Sequence, residues 1–448
     1  MGVSPQPSRR TARRAVFVAA AALTLLGLRT AWLSPPPLPS QDQWSSLYRR
    51  AGDTYVKMLY LAGLTEGTPA GRRLLGTARA YYSLSARSNR NDTETAASLG
   101  LVLLLLGRTS EAKTALSNAA LHAPPDTRSA ALALSSWGAG TRSLAQLEQA
   151  RGFLSRLGPG PLFLFRAYAL VGQPAVGEQE LRRAEQQAQE VAPKLFALIA
   201  VCGLITLAGP IGLVILLVRR KRAPVGPPAT PSWGLAEAVE ALVLWVLLAA
   251  LASSALMRFS LSGNTVTSTA TVLPSLIAGC GAVAWVWLAS PGARFGWDLR
   301  APLRSIGWGL AAAGILAPTV ALIEQFLQST WRPIEHPLVP VLASSPGWAT
   351  KAALIAAACV VVPVLEETLF RGVLYRALRI SWPPIGAALA SGLVFAVGHM
   401  SFVGLLPYLL TGVVLAGLYE KTRTLLAPAV CHGAFNAFNL AILFALFG

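Results

Sequence analysis

Charged side chains are scarce in this chain. They make up 13% of its 448 residues while hydrophobic residues make up 54%; a typical soluble domain carries about 25% charged residues. That balance excludes an ordinary soluble enzyme and a disordered chain. Cysteine is also scarce. Cys202, Cys280, Cys359 and Cys431 all lie in strongly apolar stretches, and none falls between residues 41 and 194. A disulfide-stapled secreted module is therefore excluded, and the 41–194 region holds no disulfide whichever compartment it faces. There is no CxxC pair and no Cys/His zinc pattern. Acids are few as well: 20 Asp+Glu against 38 Lys+Arg leave a net charge of +18. Such an excess would suit nucleic acid, but the placement of the basic residues assigns it to membrane topology.

Long apolar runs are what the chain does have. Residues 1–34 carry Arg9, Arg10, Arg13 and Arg14 and then an apolar run to Leu33, read as an uncleaved first span with a cytoplasmic N-terminus. A stiff proline spacer follows. Residues 41–194 are mixed polar and apolar with helical periodicity. Within them Leu99, Gly100, Leu103, Gly107, Ala112, Leu116, Ala119 and Pro124 fall at the spacing of a tetratricopeptide repeat, a helical hairpin with small residues where its two helices approach. Residues 195–222 read as a second span ending in Arg219, Arg220, Lys221 and Arg222. Both ends of the 41–194 region then return to the cytoplasm, so the region itself is expected outside it. Residues 223–235 form a proline-rich linker.

Residues 236–448 read as a polytopic membrane domain, with candidate spans near 236–257, 266–289, 305–325, 350–372, 384–400, 405–419 and 425–447. Arg294, Arg300 and Arg304, then Arg376 and Arg379, then Lys421 and Arg423, fall on the expected cytoplasmic side. The loop 326–349 falls outside. The fold expected is all-α: a polytopic transmembrane helical bundle with an extracytoplasmic, tetratricopeptide-like helical domain.

Ionisable groups inside a span are costly, by about 2.5–3.5 kcal/mol each on insertion scales. The four histidines are therefore informative: His122 is in the polar region and His336 in an outer loop, whereas His399 and His432 lie in spans. Glu366 and Glu367 share a third span. Glu367 and Arg371 are four apart and face each other on one helix side. Glu366 points about 100° away and is left to act as a base. Phe395 and His399, and His432 and Asn436, are also i, i+4 pairs. Glu366, His399, His432 and Asn436 can converge on one polar cavity. Glu237, Glu240 and Glu324 are expected at interfaces.

The order Glu-Glu-x-x-x-Arg (366–371), Phe-x-x-x-His (395–399), His-x-x-x-Asn (432–436), in a motif region over 350–447, resembles the three motifs of the CPBP family. That family covers CAAX prenyl endopeptidases of the Rce type, lysostaphin-resistance-like proteins and bacteriocin-processing or immunity proteins. The resemblance implies an intramembrane endopeptidase of glutamate type. Glu366 with His399 would activate water, His432 and Asn436 would stabilise the oxyanion, and Glu367, Arg371 and Phe395 would support them. No cofactor is expected. The family has also been described as metalloproteases, and then Glu366, His399 and His432 would bind zinc. No His-Glu-x-x-His is present, and Asn436 is a better hydrogen-bond donor than zinc ligand, which favours the metal-free reading.

The alternatives are a non-catalytic membrane scaffold or bacteriocin-immunity protein of the same fold, and a transporter. An intact motif set opposes the first; the absence of matched, broken-helix halves opposes the second. The partners implied are the lipid bilayer and a membrane-anchored protein substrate, with no nucleic acid. Some bacterial members of the family are associated with C-terminal sorting signals, as in the myxosortase-type proteases, and the 41–194 domain could recruit such exported proteins. The location implied is the cytoplasmic membrane of a bacterium. A reporter that is active only in the cytoplasm, fused near residue 120, should stay silent; a strong signal from it would overturn this topology.

Overall fold

The computed structural model describes residues 41–140, 143–189, 192–218, 230–259, 265–290, 292–330, 348–399 and 404–447. The first span, the proline spacer, the basic cluster at 219–222, most of the 223–235 linker and the outer loop with His336 lie outside the described residues. Among those described, every regular element is helical and no strand occurs. They divide into two compact units, one within residues 37–199 and one within 200–442.

The first unit is a succession of helical hairpins: α1 (Gln41–Leu61), α2 (Pro69–Ser88), α3 (Thr93–Leu105), α4 (Thr109–His122), α5 (Arg128–Gly138), α6 (Leu144–Leu154), α7 (Gly160–Leu170) and α8 (Pro174–Gln189). Local chemistry sets the ends. Thr68 caps α2 by accepting from the Gly71 N–H, with Pro69 at the first helical position. Asp92 caps α3 by accepting from the Thr95 N–H at 3.1 Å. Gly107 turns α3 into α4 at φ +77°, a conformation that disfavours residues with a Cβ. Gly100 lets the two helices close: a Cβ there would lie 2.4 Å from Leu116 Cδ2. Leu101, Leu116, Leu134, Leu154 and Leu164 fill the core behind this hairpin.

Two polar contacts are built into the same unit. The Tyr60 hydroxyl donates to the Gly158 carbonyl at 2.7 Å, fixing α1 to the turn before α7. The Tyr82 hydroxyl donates to Asp53 Oδ1 at 2.6 Å. Burial pushes the Asp53 carboxyl above its usual range, and the Tyr82 hydrogen bond and the charges of Arg49 and Lys57 only partly offset it. An acid whose folded pKa is raised contributes its full stability below its unfolded value, about 3.9, and loses it as pH rises through the folded value. Asp53→Asn removes the charge and keeps an oxygen for Tyr82. Amide-exchange protection of residues 41–189 in the intact protein should then be equal or greater in Asp53→Asn at pH 7, with the gap closing toward pH 4. Lower protection in the variant at pH 7 would contradict this account.

The second unit contains α10 (Leu235–Phe259), α11 (Thr265–Ala289), α12 (Pro302–Thr330), α13 (residues 348–378), α14 (Pro384–Gly398), α15 (Leu405–Thr422) and α16 (Leu426–Phe447); α9 (Ala192–Val218) precedes them. Among the described residues four segments are long and apolar enough to cross a membrane: Leu235–Ala255, Pro302–Glu324, Lys351–Leu378 and Leu426–Phe444. Leu273–Ala289 and Pro384–Gly398 are shorter apolar helices. Ile385, Leu389, Leu393 and Val397 leave an exposed apolar face on α14, which suits acyl chains and not water. α13 runs past the end expected at residue 372 and continues to Leu378. In its last turn Arg376 donates to the Arg294 carbonyl, and beyond it Arg379 pairs with Glu420 at 3.2 Å and Arg423 pairs with Glu420 at 3.1 Å. The basic loops expected on one side of the membrane therefore meet at one end of the unit. Glu237 accepts from the Gly234 N–H at 2.9 Å, at the start of α10, and Glu240 accepts from Trp285 Nε1 at 3.1 Å.

Candidate active site

The site begins with a proline. Pro363 has no N–H to give the Cys359 carbonyl, and its ring crowds the turn before it. The helix widens there to a π turn over Ala357–Val361, returns to α over Val362–Glu367, and widens again over Thr368–Tyr375. Such turns are concentrated at functional sites. Helix α16 closes on the widened backbone. Gly433 lies so near it that a Cβ would be 2.2 Å from the Cys359 carbonyl oxygen. Asn436 Nδ2 donates to the neighbouring Ala358 carbonyl at 2.8 Å.

One turn on, Glu367 is fully buried and its Oε1 accepts two donors. Arg371 Nη1 reaches it at 2.8 Å, and His432 Nδ1 reaches it at 2.9 Å. Arg371 is also fully buried. Its Nη2 donates to the Gly412 carbonyl at 3.0 Å, and its guanidinium lies 4.7 Å from the Phe395 ring centroid. The Gly412 carbonyl is within reach because α14 and α15 cross at two glycines, where a Cβ on Gly412 would lie 2.6 Å from Gly392 Cα. An ionised carboxylate only accepts, so His432 carries a proton on Nδ1 and turns Nε2 toward the remaining acid. That acid is Glu366, whose Oε2 lies 3.8 Å from His432 Nε2 with the side chain 16% exposed. The separation is too long for a direct hydrogen bond.

His399 joins the cluster through aromatic contact. Its Nδ1 lies 2.8 Å from the Phe395 carbonyl, which has no hydrogen to give, so the proton is on Nδ1 and Nε2 is the acceptor. Phe395 packs on His399 and His432 at centroid distances of 4.6 and 5.7 Å. The His399 ring also stacks on Tyr408 at 4.1 Å and 22°. Glu366, Glu367, Arg371, Phe395, His399 and His432 thus form one contiguous group from three helices, but no direct hydrogen bond joins Glu366 to His399 among the described residues. Zinc would need Glu366, His399 and His432 donors about 2 Å from one point. Among the described residues no three or more His, Cys, Asp or Glu side chains are so placed, and these residues as arranged do not fit that ion.

Three features escaped the motif reading: the Glu367–His432 bond, the engagement of Asn436 by Ala358, and the stack on Tyr408. Helical spacing pairs residues along one helix, and each of these joins two. The only sequence signals are indirect: Pro363 ahead of the acids, and the glycines 392 and 412 at a close crossing.

Residues 348–438 match the family model described as Type II CAAX prenyl endopeptidase Rce1-like. Every residue of the cluster falls within that match. The chain is also 32% identical over 85 residues to the Bacillus subtilis (strain 168) protein "Putative membrane peptidase YdiL". The aligned stretch is 19% of this chain and 35% of that protein, so the chain spans about a third of the length of the curated relative it matches. No solved structure matches. The C-terminal region, residues 348–438, is therefore similar to the Rce1-like CAAX prenyl endopeptidase family.

Breaking the buried Glu367–Arg371 pair should be felt mainly in stability. Glu367→Gln leaves Arg371 uncompensated, a change that typically costs about 3–5 kcal/mol. It should lower protein level and thermal stability in detergent, and Glu366→Gln should not. Equal melting of the two variants would contradict this division of the acids.

Proposed function

We propose that the membrane unit is an intramembrane endopeptidase of glutamate type that hydrolyses a peptide bond in a membrane-associated protein. The observation that carries the reading is Glu366, a partly exposed carboxylate held beside His432 in an apolar bundle where the other carboxylate is buried and already bonded through one oxygen to Arg371 and His432. Mere packing has no use for a second acid there. Its depth suits such a substrate: Glu367 is nine residues from Arg376 at the basic end, about 14 Å of helix, near the middle of a hydrocarbon core about 30 Å thick.

In this reading Glu366 takes one proton from water, whose other O–H donates to the unprotonated Nε2 of His399, as the water oxygen attacks the scissile carbonyl carbon. His432 and the second N–H of Asn436 donate to the oxyanion that forms. The proton then passes to the leaving amine as the C–N bond breaks. The two histidines divide the work by their partners. His399 faces a neutral carbonyl and serves as a base. His432 faces the Glu367 carboxylate, which compensates the positive charge of the second proton that its Nε2 takes from solvent before the water attacks. Glu367 and Arg371 hold this geometry, and no step needs a metal. The helical unit recruits the exported substrate, for which a C-terminal sorting signal is the best-fitting class, and residues 41–194 face away from the cytoplasm of a bacterial cell.

The test compares membrane-fraction proteomes of cells carrying the parent protein and its variants. Glu366→Gln and His399→Ala should abolish product at normal protein level, and His432→Ala should abolish it with a lower protein level as well, because it also takes a buried donor from Glu367. Asn436→Ala should leave partial activity, since one oxyanion donor contributes about 10²–10³ in rate. The purified parent should hold well below one zinc per chain and keep its activity under strong chelation. Normal processing by Glu366→Gln would remove the proposal; stoichiometric zinc lost together with activity would replace its mechanism.

A further inference from the structure

His399 sits where α14 ends: the helix stops at Gly398 and His399 is its C-cap. One hydrogen bond, from Nδ1 to the Phe395 carbonyl at 2.8 Å, ties the ring to its own helix. A single bond fixes one ring atom and leaves the ring plane to its neighbours. The closest face is Tyr408, nearly parallel at 22° with centroids 4.1 Å apart. Tyr408 is placed by the first turn of another helix, where its N–H donates to the Gly404 carbonyl at 2.9 Å. One turn further along the same face of α15 is Gly412, whose carbonyl accepts from Arg371. The ion pair that anchors the acids therefore also sets the helix register that brings Tyr408 over His399. The phenol lies within electrostatic reach of the Glu366 and Glu324 carboxylates, which places the stack near the proposed base.

We infer that Tyr408 is a positioning residue for the hydrolysis proposed above: the face of its ring sets the plane of His399 and so aims Nε2 at the water. The inference rests on the peptidase reading for its role in the reaction, but the contact can be measured without any substrate. The aromatic face is what the role requires, and the hydroxyl is dispensable to it.

The chain has only four histidines, so nitrogen-15 histidine labelling of the full-length protein gives four imidazoles, and His399 is assigned by its loss in His399→Gln. The parent should show His399 in a single tautomer with the proton on Nδ1. Tyr408→Phe should keep that signature and keep turnover within about twofold. Tyr408→Leu should show His399 averaged between tautomers. Its kcat should fall by about tenfold to a hundredfold, as for a misaimed catalytic group, with KM little changed. Thermal unfolding accompanies each variant, and Tyr408→Met serves if Tyr408→Leu does not fold. An unaltered His399 spectrum in the non-aromatic variant would overturn the inference. So would a Tyr408→Phe protein that behaves like Tyr408→Leu, or loss of the single tautomer without loss of turnover. If Glu366→Gln yields the same products as the parent while the spectra change as expected, the peptidase reading has failed and the contact stands as a packing device.

Discussion

The membrane unit is organised around one oxygen atom. Oε1 of Glu367 accepts from Arg371 and from His432 at full burial. A lone carboxylate or guanidinium in that setting would cost several kcal/mol. Together they compensate each other and are held by directional bonds. The pair does more than cancel. Arg371 spends one arm on Glu367, another on the Gly412 carbonyl, and its face on Phe395. Three other helices, α14, α15 and α16, are thus tied to α13 by groups within a few ångströms of each other. Among the described residues Glu367 Oε2 and Arg371 Nε have no hydrogen-bond partner, so the arrangement serves geometry rather than complete satisfaction of its polar atoms.

The surrounding backbone is shaped to let those groups meet. A regular helix through Pro363 would leave the Cys359 carbonyl without a donor; the π turn absorbs the mismatch, and α16 supplies close contact at Gly433 and a side-chain donor at Asn436. At the other crossing, Gly392 against Gly412, two helices approach until a carbonyl comes within reach of Arg371. In lipid, water is not available to complete such bonds, so close helix contact through small residues must supply the partners. The aromatic series Trp245, Phe370, Phe395 then fills the space beside the ion pair with edge-to-face contacts at 5.6 and 5.2 Å.

What could be read from the sequence was what obeys a single helix's periodicity. The apolar runs, the pairing of Glu367 with Arg371, and the Gly107 turn with its close-packed Gly100 all follow from spacing, and the structure contains them. The end expected for α13 falls too early because Arg376 and Arg379 read as a basic loop, whereas Arg376 is buried against Trp233, 5.2 Å from its ring centroid. The Glu367–His432 bond joins positions 65 apart in the chain, and nothing local encodes it. Asn436 shows the limit best. Its spacing from His432 puts it on the right face, but whether its amide meets a substrate or a backbone carbonyl depends on a π turn in another helix.

The two site histidines have the same proton on the same ring atom, and yet they are not equivalent. Each gives Nδ1–H to an acceptor fixed by its surroundings, and so each presents Nε2 inward. The acceptor at His399 is a neutral carbonyl one turn back in its own helix. The acceptor at His432 is a carboxylate from another helix, already neutralised in part by Arg371. Charge separation in a low-dielectric bundle is expensive, so a second proton is better accommodated where a negative group faces the ring. In the proposed mechanism the pairing of Glu367 with Arg371 and His432 would therefore carry a functional consequence: an acid that never touches the reaction would decide which histidine can become a donor, and would leave the other, together with Glu366, to act as a base.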